Sequence, residues 1–237
     1  MQKYYERYEQ RYQTVAQAGI DTWGYTGEEK KLQDALAAWV EKHGLKGKRI
    51  IEFACGEGGC GVILCELGCE YLGVDISPTA VEKAKERLKG FKNAQVMRMD
   101  MTKSSPAGLF DSALDVMGFH MLVTDEDRKN YLQTACRALK EGAPMLFFNE
   151  SFREEEIDAP VHSVEDWARL TGMDFDTPQK REWRGKEVYL PTLPARPRNK
   201  AGYQKELEEN GFIFESLEIT SHYEGQPTGA AICARKR

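Results

Sequence analysis

Ile50-Ile51-Glu52-Phe53-Ala54-Cys55-Gly56-Glu57-Gly58-Gly59-Cys60-Gly61 is the stretch on which the reading of this chain turns. Arg49 to Phe53 is a short β-prone run. It enters a loop of small residues, and Val62 to Leu67 continues as helix. A strand, a glycine loop and a helix in that order make a cradle for a nucleotide-type ligand. The glycines let backbone come close, and the helix start presents unpaired N–H groups to ligand oxygens. Gly56-x-Gly58-x-x-Gly61 also matches the dinucleotide fingerprint, which fits an NAD(P)-dependent oxidoreductase. Two carboxylates oppose that fit. Glu57 lies inside the loop, where its charge repels a pyrophosphate, and Glu52 near the strand's end suits a ligand carrying an ammonium group.

Downstream the pattern alternates strand and helix. Tyr71 to Ile76 reads as a second strand, and Ser77-Pro78 starts a helix with proline in its first turn. Asp75 ends that strand 17 positions after Gly58. Doubly wound sheets place an acid there against ribose hydroxyls, for NAD and adenosyl cofactors alike. Ala94 to Met101 reads as the third strand, ending in Asp100-Met101. Phe110 to His120 holds the fourth strand and its exit, Thr124 caps a helix reaching Leu139, and Met145 to Phe148 is the fifth strand. His120 follows the fourth strand at the carboxyl edge, where such sheets bind ligands, and its ordinary pKa of about 6.5 suits a general base. A packing histidine fits the same position. Phe212 to Ile219 and Ala230 to Ala234, joined by Gly225-Gln226-Pro227, read as a closing hairpin. The expected fold class is α/β, doubly wound, with a mostly parallel sheet.

The flanks read differently. Tyr5, Tyr8 and Tyr12 share one helical face. That stripe fits packing on the core, with Tyr8 among the hydroxyls able to reach a pocket. Residues 151–201 interrupt the alternation with acids, aromatics and prolines, the mark of a functional insertion or lid. Arg196 and Arg198 fit a clamp for a carboxylate or phosphate, or a solvated lid edge. Tyr189, Trp183 and Trp167 fit the wall of an acceptor pocket or anchors for the lid. The chain thus divides into a helical cover (1–45), a nucleotide-type core (46–150), a substrate lid (151–201) and a closing helix and hairpin (202–237).

Glu52-x-Ala54-x-Gly56-x-Gly58 closely resembles the Asp/Glu-x-Gly-x-Gly-x-Gly signature of class I S-adenosylmethionine (SAM) methyltransferases, with Ala54 replacing the first glycine. The segment from Phe110 to Pro144 resembles the same family, and most nearly its branch acting on thiols and similar small nucleophiles. The resemblance implies a seven-stranded sheet with one reversed strand in a C-terminal antiparallel hairpin. It implies SAM contacts from Glu52, Ala54, Gly56 and Gly58, from Asp75 and Ile76 at the ribose, and from Asp100 and Met101 at the adenine. Asp115 would border the methionine end or support its loop. The tyrosine-rich start followed by Trp23-Gly24 resembles the family's N-terminal cover, which makes Trp23 a SAM contact. The implied activity is methyl transfer to sulfur, nitrogen or oxygen of a small-molecule acceptor, giving S-adenosylhomocysteine (SAH). A non-catalytic SAM-binding protein on the same fold stays open beside the oxidoreductase.

Bulk properties narrow the partners. The 237 residues carry a net charge of −5 with a pI near 5.6, which disfavours a broad nucleic-acid interface. No apolar run of about 18 residues spans a membrane, and the first residues lack a signal-peptide core, so a cytoplasmic protein is expected. The six cysteines form no Cys-x-x-Cys pair, and no metal is expected. A monomer or homodimer fits these properties.

Overall fold

A computed structural model describes residues 3–221 and 228–237. The chain opens with a 3-10 turn, Tyr4–Arg7, that runs into α1 (Tyr8–Gln17), and α2 (Lys30–His43) follows. Then come β1 (Arg49–Phe53), α3 (Gly59–Glu66), β2 (Glu70–Asp75), α4 (Pro78–Leu88), β3 (Ala94–Arg98) and β4 (Ser112–Val116). A second 3-10 turn, Phe119–Met121, precedes α5 (Asp125–Ala138) and β5 (Pro144–Phe152). The chain ends with α6 (Val164–Thr171), β6 (Gln179–Trp183), β7 (Lys186–Leu190), α7 (Lys200–Glu209), β8 (Phe212–Ser221) and β9 (Thr228–Lys236). Side-chain caps start four of the helices. Ser77, Thr124, Ser163 and Asn199 each accept a backbone N–H in the first turn of α4, α5, α6 and α7.

Seven strands form one sheet in the order β3-β2-β1-β4-β5-β9-β8. The first five are parallel, and β9 runs antiparallel to both neighbours. The doubly wound sheet with a reversed closing strand is therefore present. Gly225-Gln226-Pro227, the expected link of that hairpin, lies outside the described residues.

Strand alternation sorts the core onto two faces. Ile51, Ala113 and Phe147 point to a cluster with Phe119, Tyr131 and Tyr203. Their neighbours Ile50, Leu114 and Leu146 point to a second cluster with Leu36, Trp39 and Ile63. All five residues of β4 are buried, as a central parallel strand covered on both faces requires.

Residues 151–201 are more regular than their composition suggests: they hold α6 and a β6–β7 hairpin. The hairpin turns on Arg184-Gly185, with φ values of 49° and 75°. Two left-handed residues match the twist of a two-residue hairpin turn. Asn-Gly would have signalled that turn, and Arg-Gly did not. Among the described residues no helix is long and apolar enough to cross a membrane.

Candidate functional site

A cavity of about 770 Å³ opens at the carboxyl ends of the parallel strands. Its floor is the loop after β1, and the ends of β2, β3, β4 and β5 supply its sides. Four non-glycine residues have positive φ: Ala54 (52°), Met117 (62°), Asn149 (58°) and Arg184 (49°). All four line this cavity. Ala54 and Met117 follow β1 and β4, and Asn149 sits where the β5–β9 register shifts between Phe147 and Glu150. Strained backbone gathered at one concavity marks a place the fold is built to serve.

The carboxylates expected around a cofactor come together here. Glu52, Asp75 and Asp100 all line the cavity, with Ala54, Gly56, Ile76 and Met101 between them. Asp75 is buried, and its two oxygens accept the Gly56 and Ser77 N–H groups at 2.8 Å each. Burial raises its pKa to about 6. Gly56 has φ 53°, and a Cβ on it would lie 2.9 Å from the Tyr12 hydroxyl, so only glycine fits. Asp100 accepts the Thr102 N–H at 2.9 Å, the Thr102 hydroxyl at 2.7 Å and the Tyr5 hydroxyl at 3.2 Å. Burial alone raises its pKa, but hydrogen bonds from Lys103 and Thr102 hold it below the ordinary range.

Glu52 is the most heavily desolvated of the three. It is buried, accepts the Tyr71 hydroxyl, and has its pKa raised by burial to about 7. From an ordinary value of 4.5, the folded state holds a proton that the unfolded state has lost. The resulting stabilisation is complete below pH 4.5 and disappears as pH rises through about 7. Its size is on the order of 3 kcal/mol. Denaturant unfolding at pH 5 and pH 8 is expected to show this decline, and Glu52→Gln, neutral throughout, to flatten it.

Glu57 has a role that its charge alone did not reveal. It is buried and accepts the Thr22 hydroxyl, the Trp23 N–H at 2.9 Å and the Lys83 ammonium at 2.9 Å. It therefore ties the 22–24 segment to the glycine loop, with its charge balanced by Lys83. The same segment puts Trp23 on the cavity wall, stacked against Trp183 of β6 with ring centroids 4.5 Å apart. The Trp183 indole N–H also donates to the Thr22 carbonyl at 3.3 Å.

The tyrosine stripe serves both the core and the cavity: Tyr5 is buried in the core cluster and Tyr8 packs against it. Tyr5, Tyr8 and Tyr12 all line the cavity, while Tyr4 turns into the core and accepts the Val123 N–H at 2.8 Å. Tyr8 donates to the Met121 sulfur, and the phenol of Tyr12 is pushed well up by burial and the nearby Asp75 charge. The i, i+3, i+7 spacing was the signal. It fixed the shared face but not what that face covers.

Several expected site residues lie elsewhere. His120 is buried off the cavity wall: its Nδ1 lies 2.7 Å from Glu150 Oε2, and its backbone N–H donates to the same oxygen at 2.8 Å. The strand exit folds into a 3-10 turn that carries the imidazole inward, away from the cavity where the expected base would stand. Asp115 also sits behind the wall. It accepts the Gly118 and Phe119 N–H groups at 2.7 and 3.2 Å and the Tyr131 hydroxyl, which is loop support rather than ligand contact. Burial and the nearby Glu150 push its pKa well up. Gly58 is off the wall, its missing side chain making room for Ala84 of α4.

Arg196 and Arg198 are buried, not solvated, and neither reaches the cavity. Arg196 donates to the Val123 carbonyl and to Asp125 at 2.7 Å, and Arg198 pairs with Glu156 and Glu206. Both bind the insertion to the core, so they are not an acceptor clamp. Tyr189 is 63% exposed on β7, and Trp167 packs in the core under Arg196. Met117, Met121, Asn149 and Arg184 complete the cavity, and no sequence motif announced them.

Residues 50–142 match the family model described as a methyltransferase domain. The matched span runs from β1 through α5 and the turn after it. It contains every cavity residue supplied by the first four strands. Ribosomal protein L11 methyltransferase from Shewanella piezotolerans is 28% identical over 145 residues, covering 57% of this chain and 48% of the relative. The chain spans about half the length of the curated relatives it matches.

Solved structures resemble the whole chain. An S-adenosylmethionine-dependent methyltransferase from Clostridium acetobutylicum superposes with TM-score 0.64 at 15% identity, over 98% of both chains. The 1,6-didemethyltoxoflavin-N1-methyltransferase of Burkholderia thailandensis, solved with bound 1,6-didemethyltoxoflavin and SAH, gives 0.66 at 13% identity, over 98% of this chain and 88% of that one. Magnesium protoporphyrin IX methyltransferase from Synechocystis with bound SAH gives 0.63 at 16%, over 96% and 95%. These likenesses establish the class I methyltransferase fold.

Proposed function

We propose that this protein transfers the methyl group of SAM to a nucleophilic sulfur, nitrogen or oxygen atom of a small-molecule acceptor. One observation carries the reading. Glu52, the Gly56 loop, Asp75 and the Asp100-Met101 pair line a single cavity in a methyltransferase domain. Asp75 faces the ribose hydroxyls, Asp100 and the Met101 N–H meet the adenine edge, and Glu52 serves the ammonium end. SAM carries more positive than negative charge, which suits a wall rich in carboxylates.

A small acceptor fits because Tyr5, Tyr8, Tyr12 and the 23–25 segment roof the cavity together with Trp183 and Arg184 of the β6–β7 hairpin. Its volume lies in the upper part of the roughly 300–1,000 Å³ range of small-ligand sites. With His120 turned inward, catalysis rests on holding the acceptor in line with the methyl–sulfur bond. The wall phenols of Tyr8 and Tyr12 stay protonated and serve as hydrogen-bond donors.

Thermal unfolding with SAM, SAH, NADH and NADPH, each in large excess, tests the cofactor. A ligand at 100 times its Kd adds about 2.7 kcal/mol. For a chain of this size that is roughly 5–10 °C. A rise with SAM and SAH alone is expected. A rise with NADH or NADPH alone would return the loop to the dinucleotide reading. Release of SAH in an acceptor screen separates the enzyme from a non-catalytic SAM-binding protein.

A further inference from the structure

Arg184 is the only cationic side chain on the cavity wall among the described residues, and five carboxylates share that wall: Glu29, Glu52, Glu57, Asp75 and Asp100. Two of these have ammonium partners, Lys83 for Glu57 and Lys103 for Asp100. Glu29 is taken up by the Thr26 and Gly27 N–H groups. Arg184 has no ion pair or hydrogen bond among the described residues.

Its backbone is held in place at a cost. It occupies the first of two left-handed turn positions (φ 49°), where asparagine or glycine is favoured and a long side chain is strained. The turn is anchored on both sides. Trp183 stacks on Trp23, and the Lys186 ammonium donates to the Ala18 and Gly19 carbonyls at 2.8 and 2.9 Å. The Arg11 guanidinium lies 4.7 Å over the same Trp23 ring, so the roof carries positive charge on an aromatic platform.

We infer that Arg184 is a specificity-determining residue that receives an anionic group, a carboxylate in the first instance, on an aromatic methyl acceptor stacked beside Trp23 and Trp183. The inference rests on the methyl-transfer reading. The cofactor's own carboxylate is the other source of that chemistry. Arg184 is exposed at the mouth on an element of the insertion, whereas the glycine loop that cradles the cofactor forms the buried floor. That placement favours the acceptor.

The test uses the SAH-loaded protein and three matched probe pairs: 2-mercaptobenzoate with 2-mercaptobenzamide, anthranilate with anthranilamide, and salicylate with salicylamide. Each pair keeps the nucleophile and changes the charge. Calorimetry is expected to show at least one acid binding about tenfold tighter than its amide. Arg184→Asn is expected to remove that preference, leave SAH affinity unchanged and leave the melting temperature equal or higher, because asparagine suits the left-handed turn. Equal binding within every pair, or no binding by any acid, overturns the inference while methyl transfer stands. Weaker SAH binding by Arg184→Asn also overturns it, by assigning the arginine to the cofactor. A lower melting temperature overturns it by making the arginine a support of the hairpin. If SAH itself fails to bind the wild-type protein, the methyl-transfer reading falls and takes this inference with it.

Discussion

Replacing Asp75 with alanine is expected to weaken SAH binding about 100-fold or more while the far-ultraviolet spectrum stays native. Two losses combine. A carboxylate facing a ribose makes charge-assisted hydrogen bonds, each contributing about 1.5–3 kcal/mol. The same carboxylate also fixes the cradle, because it accepts the Gly56 and Ser77 N–H groups at 2.8 Å each. Alanine leaves both N–H groups without an acceptor and frees the glycine loop at its tightest turn. The change Asp75→Asn is expected to do little better. The amide's one oxygen serves one N–H, and its NH2 then meets the other, donor against donor. Calorimetric titration with SAH checks both variants. A loss under threefold for Asp75→Ala would show that no ribose lies against this carboxylate.

The strand ends that carry Asp75 were legible because one physical rule governs them. A parallel sheet covered on both faces needs short apolar runs, and each run must stop at a loop. Acids at those stops, Glu52, Asp75 and Asp100, stand out against their neighbours, and all three line the cavity. His120 and Asp115 stood out equally in the sequence but face inward. Their direction depends on the 3-10 turn at Phe119–Met121, which two hydrogen bonds to Asp115 and one to Glu150 create. Glu150 lies 30 residues from His120, and no local pattern links them.

The insertion was legible as a cover, with Trp183 on the cavity wall, but its arginines were not, for a related reason. Arg196 and Arg198 look like surface cations between prolines, yet they are 2% and 7% exposed, because Asp125, Glu156 and Glu206 take up their charges. Pairing over such separations is a tertiary property. Composition predicts that a charged residue will be solvated, and it fails where partners arrive from elsewhere in the chain. The Glu57 anchor to Thr22 and Trp23 belongs to the same class. A carboxylate judged by its charge alone looked like a filter against phosphates, and its buried neighbours show that it holds the cover down.

Arg128→Ala is expected to lower the melting temperature more than any other single change discussed for this protein. Arg128 is 1% exposed and joins three elements. It donates to both Glu206 oxygens of α7, at 2.9 and 2.6 Å, and to the Phe119 and Leu122 carbonyls, at 3.2 and 2.9 Å. Its guanidinium also lies 3.9 Å over the Phe119 ring. Removing one member of a buried ion pair costs about 3–5 kcal/mol. At about 2–4 °C per kcal/mol for a chain of this size, the melting temperature should fall by roughly 6–20 °C. Acid sensitivity should change with it. Burial alone raises the pKa of Glu206, but the charge and hydrogen bonds of Arg128 hold it below the ordinary range. That stabilisation is present above the ordinary carboxylate pKa and lost as pH falls through the folded value. The wild type should therefore lose stability on acidification, and Arg128→Ala should lose less. The double change Arg128→Met with Glu206→Leu should recover part of the loss by removing the carboxylate along with its partner, but not all of it, since the two carbonyls stay without a donor and Arg198 keeps only Glu156. The cavity should respond as well. Met121 and Leu122 line it, and the clamp on Phe119 and Leu122 holds that wall under Tyr8. Hydrogen exchange at residues 119–122 should quicken in Arg128→Ala. A melting temperature within about 2 °C of wild type would mean that burying the arginine costs about as much as its four bonds return.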